Sequence, residues 1–191
     1  LCNDSRLVEK QGQGGIEGDP TEGALLVAAR KTGLMAEVQQ EQLPRLDAIP
    51  FESQHQYMAT LHDTGPAQPR LVYVKGAVEV LLEKCGAALD ETGQTIPLDT
   101  VRIHAVVGAM AAKGLRVLAF ARGELPAGAT DLTHAHIANG LTFLGLQGLS
   151  DPPRPEAVAA VHACQSAGIR VKMITGDHAL TASAIARQIG L

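Results

Sequence analysis

Ile174-Thr175-Gly176-Asp177 gathers a hydroxyl, an unhindered glycine and a carboxylate directly after an apolar run that begins at Ile169. If that run is a strand, these groups stand at its C-terminal end, where open α/β sheets bind ligands. Thr175 then donates to a phosphate oxygen, and the amides of Gly176 and Asp177 cradle it at a helix start. The plainer alternative is a Thr-Gly-Asp turn with Asp177 as a helix cap. Upstream, Asp151-Pro152-Pro153-Arg154-Pro155-Glu156 places Arg154 at a helix start behind a backbone stiffened by prolines. It reads either as a hinge facing the same sheet edge or as a rigid crossover loop with Asp151 as a cap.

Lys75 ends the strand-like run Tyr73-Val74-Lys75, immediately before Gly76. A glycine admits a ligand close to the backbone, and an ammonium suits a phosphate or a base edge. An exposed edge lysine fits the same pattern. Phe51 stands out in a chain with three Phe, two Tyr and no Trp. It follows Pro50 and precedes Glu52-Ser53-Gln54-His55-Gln56, so it is either a stacking platform for a purine or a core residue at a strand start. Glu22 can accept an adenine amino group or simply sit at a helix start; Arg116 can fork onto a phosphate or flank a strand. Asp90-Glu91-Thr92-Gly93-Gln94-Thr95 superficially resembles an Asp-Lys-Thr-Gly-Thr phosphorylation loop, but lacks the Lys and fits a hairpin turn better. His134-Ala135-His136 has no Cys or carboxylate cluster at zinc spacing nearby.

The elements that must carry these residues follow from periodicity and punctuation. Asp19-Pro20-Thr21-Glu22 starts a helix that Gly33 stops. Residues 36–47 read as a polar linker. Residues 57–62 and 71–74, joined by the turn 63–69, read as a hairpin. A short helix spans 77–85, a turn 90–95, an amphipathic helix 98–113, and a buried strand 115–121. Residues 123–140 read as loop. Strand 141–149, helix 156–167, strand 169–174 and helix 178–189 then form a parallel βαβα unit.

The chain has 191 residues, is 46% hydrophobic and 19% charged, and carries a net charge of −4. That composition buries a core of Ala, Val, Leu and Ile, and offers no basic face for nucleic acid. No apolar run approaches the ~18 residues of a membrane span. Cys2, Cys85 and Cys164, odd in number and far apart, point to a reducing compartment rather than disulfides. Leu1-Cys2-Asn3-Asp4-Ser5-Arg6 reads as neither an initiator nor a signal peptide, which suggests a piece of a longer protein.

In this order, Gly18-Asp19-Pro20-Thr21-Glu22-Gly23-Ala24-Leu25, Pro50-Phe51, Met58-Ala59-Thr60, Lys75-Gly76-Ala77, Arg116-Val117-Leu118-Ala119, Asp151-Pro152-Pro153-Arg154 and Met173-Ile174-Thr175-Gly176-Asp177 resemble P-type cation-transporting ATPases. The closest subgroup is the calcium/sodium-pump-like type II branch, and a bacterial source is expected. The resemblance covers nearly the whole chain. It implies an α+β nucleotide-binding domain over 1–140, an antiparallel sheet flanked by helices. A partial haloacid-dehalogenase-like phosphorylation domain over 141–191, the parallel βαβα unit, follows.

It also implies that Phe51 stacks on adenine, Glu22 meets the adenine amino group, Lys75 and Gly76 line the base pocket, and Arg116 reaches the phosphates. Thr175, Gly176 and Asp177 approach the γ-phosphate, and Asp151 and Arg154 sit at the hinge. The phosphorylated Asp and the magnesium motif of the family have no counterpart in these residues. ATP is therefore the expected ligand, with Mg held elsewhere in a full pump and this piece inactive alone. The expected partners are the remaining phosphorylation, actuator and transmembrane domains, in the cytoplasmic part of an integral membrane protein. A dimer through an exposed sheet edge in 141–191 is a further expectation. Gln56 stands where many relatives carry Lys, and Ser53 where some carry Arg, which lowers positive charge near the phosphates. The alternatives are a haloacid-dehalogenase-like phosphatase with Asp90 as nucleophile and a non-catalytic interaction module.

Overall fold

A computed structural model describes residues 1–10, 13–176 and 179–191. The chain opens with an antiparallel ribbon of β1 (Arg6–Lys10) and β2 (Gln13–Glu17). Helix α1 (Pro20–Lys31) begins as its sequence requires: the Asp19 carboxylate accepts from the Glu22 amide at 3.1 Å, and Pro20 occupies the first turn. Residues 36–47, expected as linker, instead form α2 (Ala36–Gln42) and the start of β3 (Arg45–Glu52). The Glu/Gln-rich run suits a helix, and β3 gains its ladder from its neighbour rather than from its own composition.

That neighbour is β4 (Tyr57–His62), which makes a hairpin with β5 (Arg70–Gly76), in register from Tyr57↔Gly76 to His62↔Leu71. Then come α3 (Val78–Lys84), β6 (Cys85–Leu89), β7 (Thr95–Pro97), α4 (Thr100–Ala111) and β8 (Arg116–Leu125). A single 3-10 turn at His134–Ile137, strand β9 (Leu141–Leu149) and helices α5 (Pro155–Ser166) and α6 (Ala179–Gln188) complete the order.

Among the described residues, seven strands form one sheet in the order β3-β4-β5-β8-β9-β6-β7. The run β3 to β8 is antiparallel, whereas β6 pairs parallel with β9 and antiparallel with β7. The class is thus the mixed α/β one expected, with helices and an antiparallel-rich sheet. Strand β4 lies between β3 and β5, and all six of its residues are buried. Helix α3 buries Val78, Leu81 and Leu82 and packs on β5. Burying a side chain of that size contributes roughly 1.5–3 kcal/mol, so this helix is held by its apolar face rather than by its own short length.

The chain forms two compact units. One comprises Leu1–Leu98 with Ala119–Gly145; the other comprises Asp99–Leu118 with Leu146–Leu191. In the second, α4 packs on α6, and the buried Thr181 donates its hydroxyl to the Leu115 carbonyl at 3.1 Å.

One expectation needs correction. No strand is present over 169–174 among the described residues, and Ile174 is 97% exposed. A strand exists only by pairing. Strand β9, its intended neighbour, lies between β8 and β6 in the sheet, and β6 pairs parallel with it over Leu141–Phe143. The two ends of the sheet are β3 and β7.

Candidate functional site

Lys75 sits on β5 with β4 and β8 on either side, so it is not an edge lysine. Its ammonium pairs with Oε1 of Glu22 in the first turn of α1, and the two side chains are only 8% and 14% exposed. Such a pair is costly to desolvate and persists only where the remaining lone pairs are satisfied. Here they are. Glu22 Oε2 accepts from the amides of Asp4 (2.9 Å) and Ser5 (3.0 Å) and from the Ser5 hydroxyl (3.2 Å). The carboxylate is therefore locked as an acceptor in a single orientation.

The segment that locks it is itself tied down. The buried Asn3 donates its amide to the Glu22 carbonyl at 2.9 Å and accepts from the Ser5 amide at 2.9 Å. The Arg45 guanidinium on β3 binds the Asp4 carboxylate and the carbonyls of Leu1 (3.0 Å) and Asn3 (2.6 Å). Gly18, at φ +113, leaves room for Ser5: a Cβ there would lie 2.4 Å from the Ser5 hydroxyl oxygen. The Cys2 thiol donates to the Met58 carbonyl at 3.5 Å, and burial pushes its pKa up against the pull of Lys75. Sequence reasoning missed Asn3 and Ser5. The available signal was Asn-x-Ser, in which Asn accepts from its own backbone two residues on.

Gly76 lies beside Lys75, but its own chain fills the space a side chain would take. A Cβ would stand 2.4 Å from the Gln56 carbonyl oxygen and 2.7 Å from Tyr57 Cβ. The glycine lets the turn at Gln56, which has φ +57, close onto the end of β5. Phe51 lies near the end of β3, with β4 between it and β5. It is 59% exposed, so it is not a core phenylalanine.

Sequence reasoning also missed a polar aromatic cluster next to this turn. The Tyr57 hydroxyl bonds Nδ1 of His134, the His55 and His134 ring centres lie 4.3 Å apart with the planes tilted by 41°, and Lys84 lies 5.1 Å from the Tyr57 ring centre. His136 instead accepts from the Thr133 amide at 3.2 Å, so the two histidines of His134-Ala135-His136 have separate partners.

The remaining candidates belong to the second unit. Arg116 opens β8 and is exposed. Asp151 is exposed and does not cap α5; Arg154 holds the cap position with no side-chain cap bond. Thr175 and Gly176 are exposed in an irregular segment, and Asp177 lies outside the described residues. The structure thus joins Glu22 to Lys75, with Gly76 adjacent and Phe51 on the same sheet.

Asp90 stands in the turn between the antiparallel β6 and β7. Its Oδ1 accepts from the Thr92 amide (2.9 Å), the Thr92 hydroxyl (2.8 Å) and the Gln94 amide (2.9 Å). Those bonds, the Thr92 hydroxyl foremost, hold its pKa below the usual range. Asp90 is thus a turn carboxylate whose Oδ1 is engaged by the turn it stands in, between β6 and the antiparallel β7. Among the described residues no three His, Cys, Asp or Glu side chains converge as a metal site.

Comparison with known proteins bears on all of this. The family described as "P-type ATPase, cytoplasmic domain N" matches residues 1–156. The chain is 53% identical over its whole length to the cation-transporting ATPase pma1 of Synechocystis sp., of which it covers 21%. It is 37% identical to the calcium-transporting ATPase of Bacillus subtilis, again over the whole chain and 22% of the relative. The sodium/potassium-transporting ATPase subunit alpha-A of Artemia franciscana is 36% identical over 92% of the chain and 19% of its own length. The chain therefore spans about a fifth of the length of these relatives.

Proposed function

Because the chain belongs to the P-type cation-transporting ATPases and carries their cytoplasmic N domain, we propose that it binds the adenosine end of ATP for such a pump. The observation that carries this reading is the buried Glu22–Lys75 pair, whose carboxylate is fixed as an acceptor, on the same sheet as an exposed Phe51 ring. A fixed carboxylate suits the exocyclic amino group of adenine, and an exposed ring suits the face of the base. Lys75 and Gly76 form the floor beside the base. Arg116 reaches the phosphates as they project from the pocket.

The γ-phosphate meets Thr175, Gly176 and Asp177, with Asp151 and Arg154 at the hinge. Residues 1–140 act as the nucleotide-binding domain and 141–191 as the start of a phosphorylation domain. An aspartate outside these residues attacks the γ-phosphorus, and the bond to the ADP oxygen breaks. Magnesium, held by groups elsewhere in such a pump, would supply neutralisation of the phosphate charge. The piece alone then binds ATP without hydrolysing it. Its grip falls on the base, so its affinity changes little with magnesium. Cation selectivity belongs to the other parts of the pump, which are also its partners.

NMR titration with ATP, on the wild type and on Phe51→Ala, tests this. Saturable shifts around Glu22 and Lys75 that weaken about tenfold in the variant are expected, since losing a base–aromatic stack costs roughly 1–3 kcal/mol. No shifts in the wild type at millimolar ATP would refute the proposal.

A further inference from the structure

Glu22 is oriented by residues that no reading of the pocket has included. Three hydrogen bonds to its Oε2 come from two consecutive residues, Asp4 and Ser5, eighteen and seventeen positions away in sequence. The same short segment reaches back to the helix from both ends of its turn. Asn3 holds the Glu22 carbonyl at 2.9 Å, and the Ser5 hydroxyl also lies 3.1 Å from the carbonyl oxygen of Asp19, the cap of α1. Asn3 and Ser5 are 8% and 5% exposed, so water does not compete for these bonds. Buried polar groups at such positions are retained only when every partner is met, and here they are met by one carboxylate and the helix start that bears it.

We propose that Ser5, braced by Asn3, is the positioning residue that sets base specificity at this site. The inference rests on the adenosine-binding reading above and adds to it the element that makes the site choose adenine. With Oε2 held by the Asp4 and Ser5 amides and by the Ser5 hydroxyl, and Oε1 paired with Lys75, the carboxylate cannot rotate, and the hydroxyl is the one side-chain donor on Oε2 among the described residues. The carboxylate's one acceptor site not engaged by these donors, on Oε1, accepts from the amino group at C6 of adenine and repels the carbonyl oxygen that guanine carries there. A carboxylate free to swing keeps its charge but loses that discrimination, because a guanine can push it aside. Specificity of this kind comes from a penalty against the wrong ligand, and the penalty exists only while the acceptor cannot move.

Ser5→Ala removes the hydroxyl from both Glu22 and Asp19 and leaves the backbone amides in place. Ser5→Thr restores the hydroxyl. The experiment measures dissociation constants for ATP and GTP by NMR titration of the wild type, Ser5→Ala, Ser5→Thr and Phe51→Ala. The expected result is that the ATP/GTP preference falls about fivefold in Ser5→Ala and returns to within about twofold of wild type in Ser5→Thr. A hydrogen bond to a charged group is worth enough for such a change. Phe51→Ala weakens both nucleotides with the preference retained, since stacking is indifferent to the base. If ATP binds the wild type and Phe51→Ala weakens it, but Ser5→Ala leaves the preference intact or weakens both nucleotides equally, the positioning role is overturned and the binding site stands. If the wild type binds neither nucleotide, both the site and the positioning role fall.

Discussion

Replacing Glu22 with alanine removes one half of a buried ion pair and leaves the other half in place. Lys75 keeps its charge with its side chain 8% exposed on an interior strand. Breaking one partner of a buried pair costs about 3–5 kcal/mol. The low end applies here, because Glu22 is 14% open and water can enter where the carboxylate was. The helix start loses a favourable anion as well, worth about 0.3–1 kcal/mol. About 3 kcal/mol is therefore expected, a large share of the 5–15 kcal/mol typical of a folded domain.

Lys75→Met is milder, about 1–1.5 kcal/mol, since Glu22 keeps its three donors from Asp4 and Ser5 and loses only the cation. The double variant Glu22→Ala/Lys75→Met then costs less than the sum by about 1–2 kcal/mol, because the stranded charge is gone. Urea unfolding followed by far-ultraviolet circular dichroism measures all three, the chain having no Trp for fluorescence. In thermal melts the single variant Glu22→Ala loses about 6–12 °C. A loss below about 1 kcal/mol for Glu22→Ala, or strict additivity in the double variant, would show that the pair behaves as a surface contact and that the site is not preorganised.

Other consequences are independent of the nucleotide. Gly76→Ala destabilises by more than about 2 kcal/mol, since its Cβ would press on the Gln56 carbonyl at 2.4 Å; a melt within about 2 °C of wild type would contradict this. His62 is buried, donates Nδ1–H to the Leu43 carbonyl (2.9 Å) and accepts at Nε2 from Thr60 (2.8 Å), and burial lowers its pKa below the usual 6.5. The unfolded chain binds that proton more readily, so the contribution of His62 is complete above pH 6.5 and is lost as pH falls below it. His62→Gln should flatten this slope in denaturation series between pH 7 and 5. Burial pushes the Cys85 thiol up to about 11, so it should react with iodoacetamide at pH 8 far more slowly in the native protein than in urea, as mass spectrometry would read.

Much of this molecule is legible in its residues where one local signal suffices. Asp19-Pro20 starts α1, the turn 63–69 joins β4 to β5, and the alternation of 57–62 gives a strand. Phe51, after its proline and before polar neighbours, fits either a surface or a core ring in sequence, and its exposure shows only in the fold. What is not legible depends on partners distant in sequence. The run 169–174 is apolar enough for a strand, but nothing in it reveals that it would pair with no neighbour among the described residues. The ribbon of β1 and β2 has glycines at 14 and 15 and no clear alternation, so pairing alone defines it. Lys75 looks the same in sequence whether it lies on an edge or in an interior strand. Its burial became visible only with β8, whose residues arrive some forty positions later. The same holds for Asn3 and Ser5, which gain meaning only once Glu22 lies against them.

Strand β5 has a temporal consequence that follows from its two neighbours. One side is closed by β4 through a turn of seven residues, so the hairpin can form as soon as Gly76 is made. The other side waits for β8, which pairs with β5 from Ala119 to Leu125. At roughly 5–20 residues per second, a ribosome leaves that flank of Leu71, Val72 and Val74 without its strand for about 2–10 seconds. During this interval the nascent chain carries an apolar strand with a free ladder, the most adhesive surface it ever presents. Codon choice or chaperone access between residues 76 and 125 would therefore affect yield far more than equal changes after residue 150.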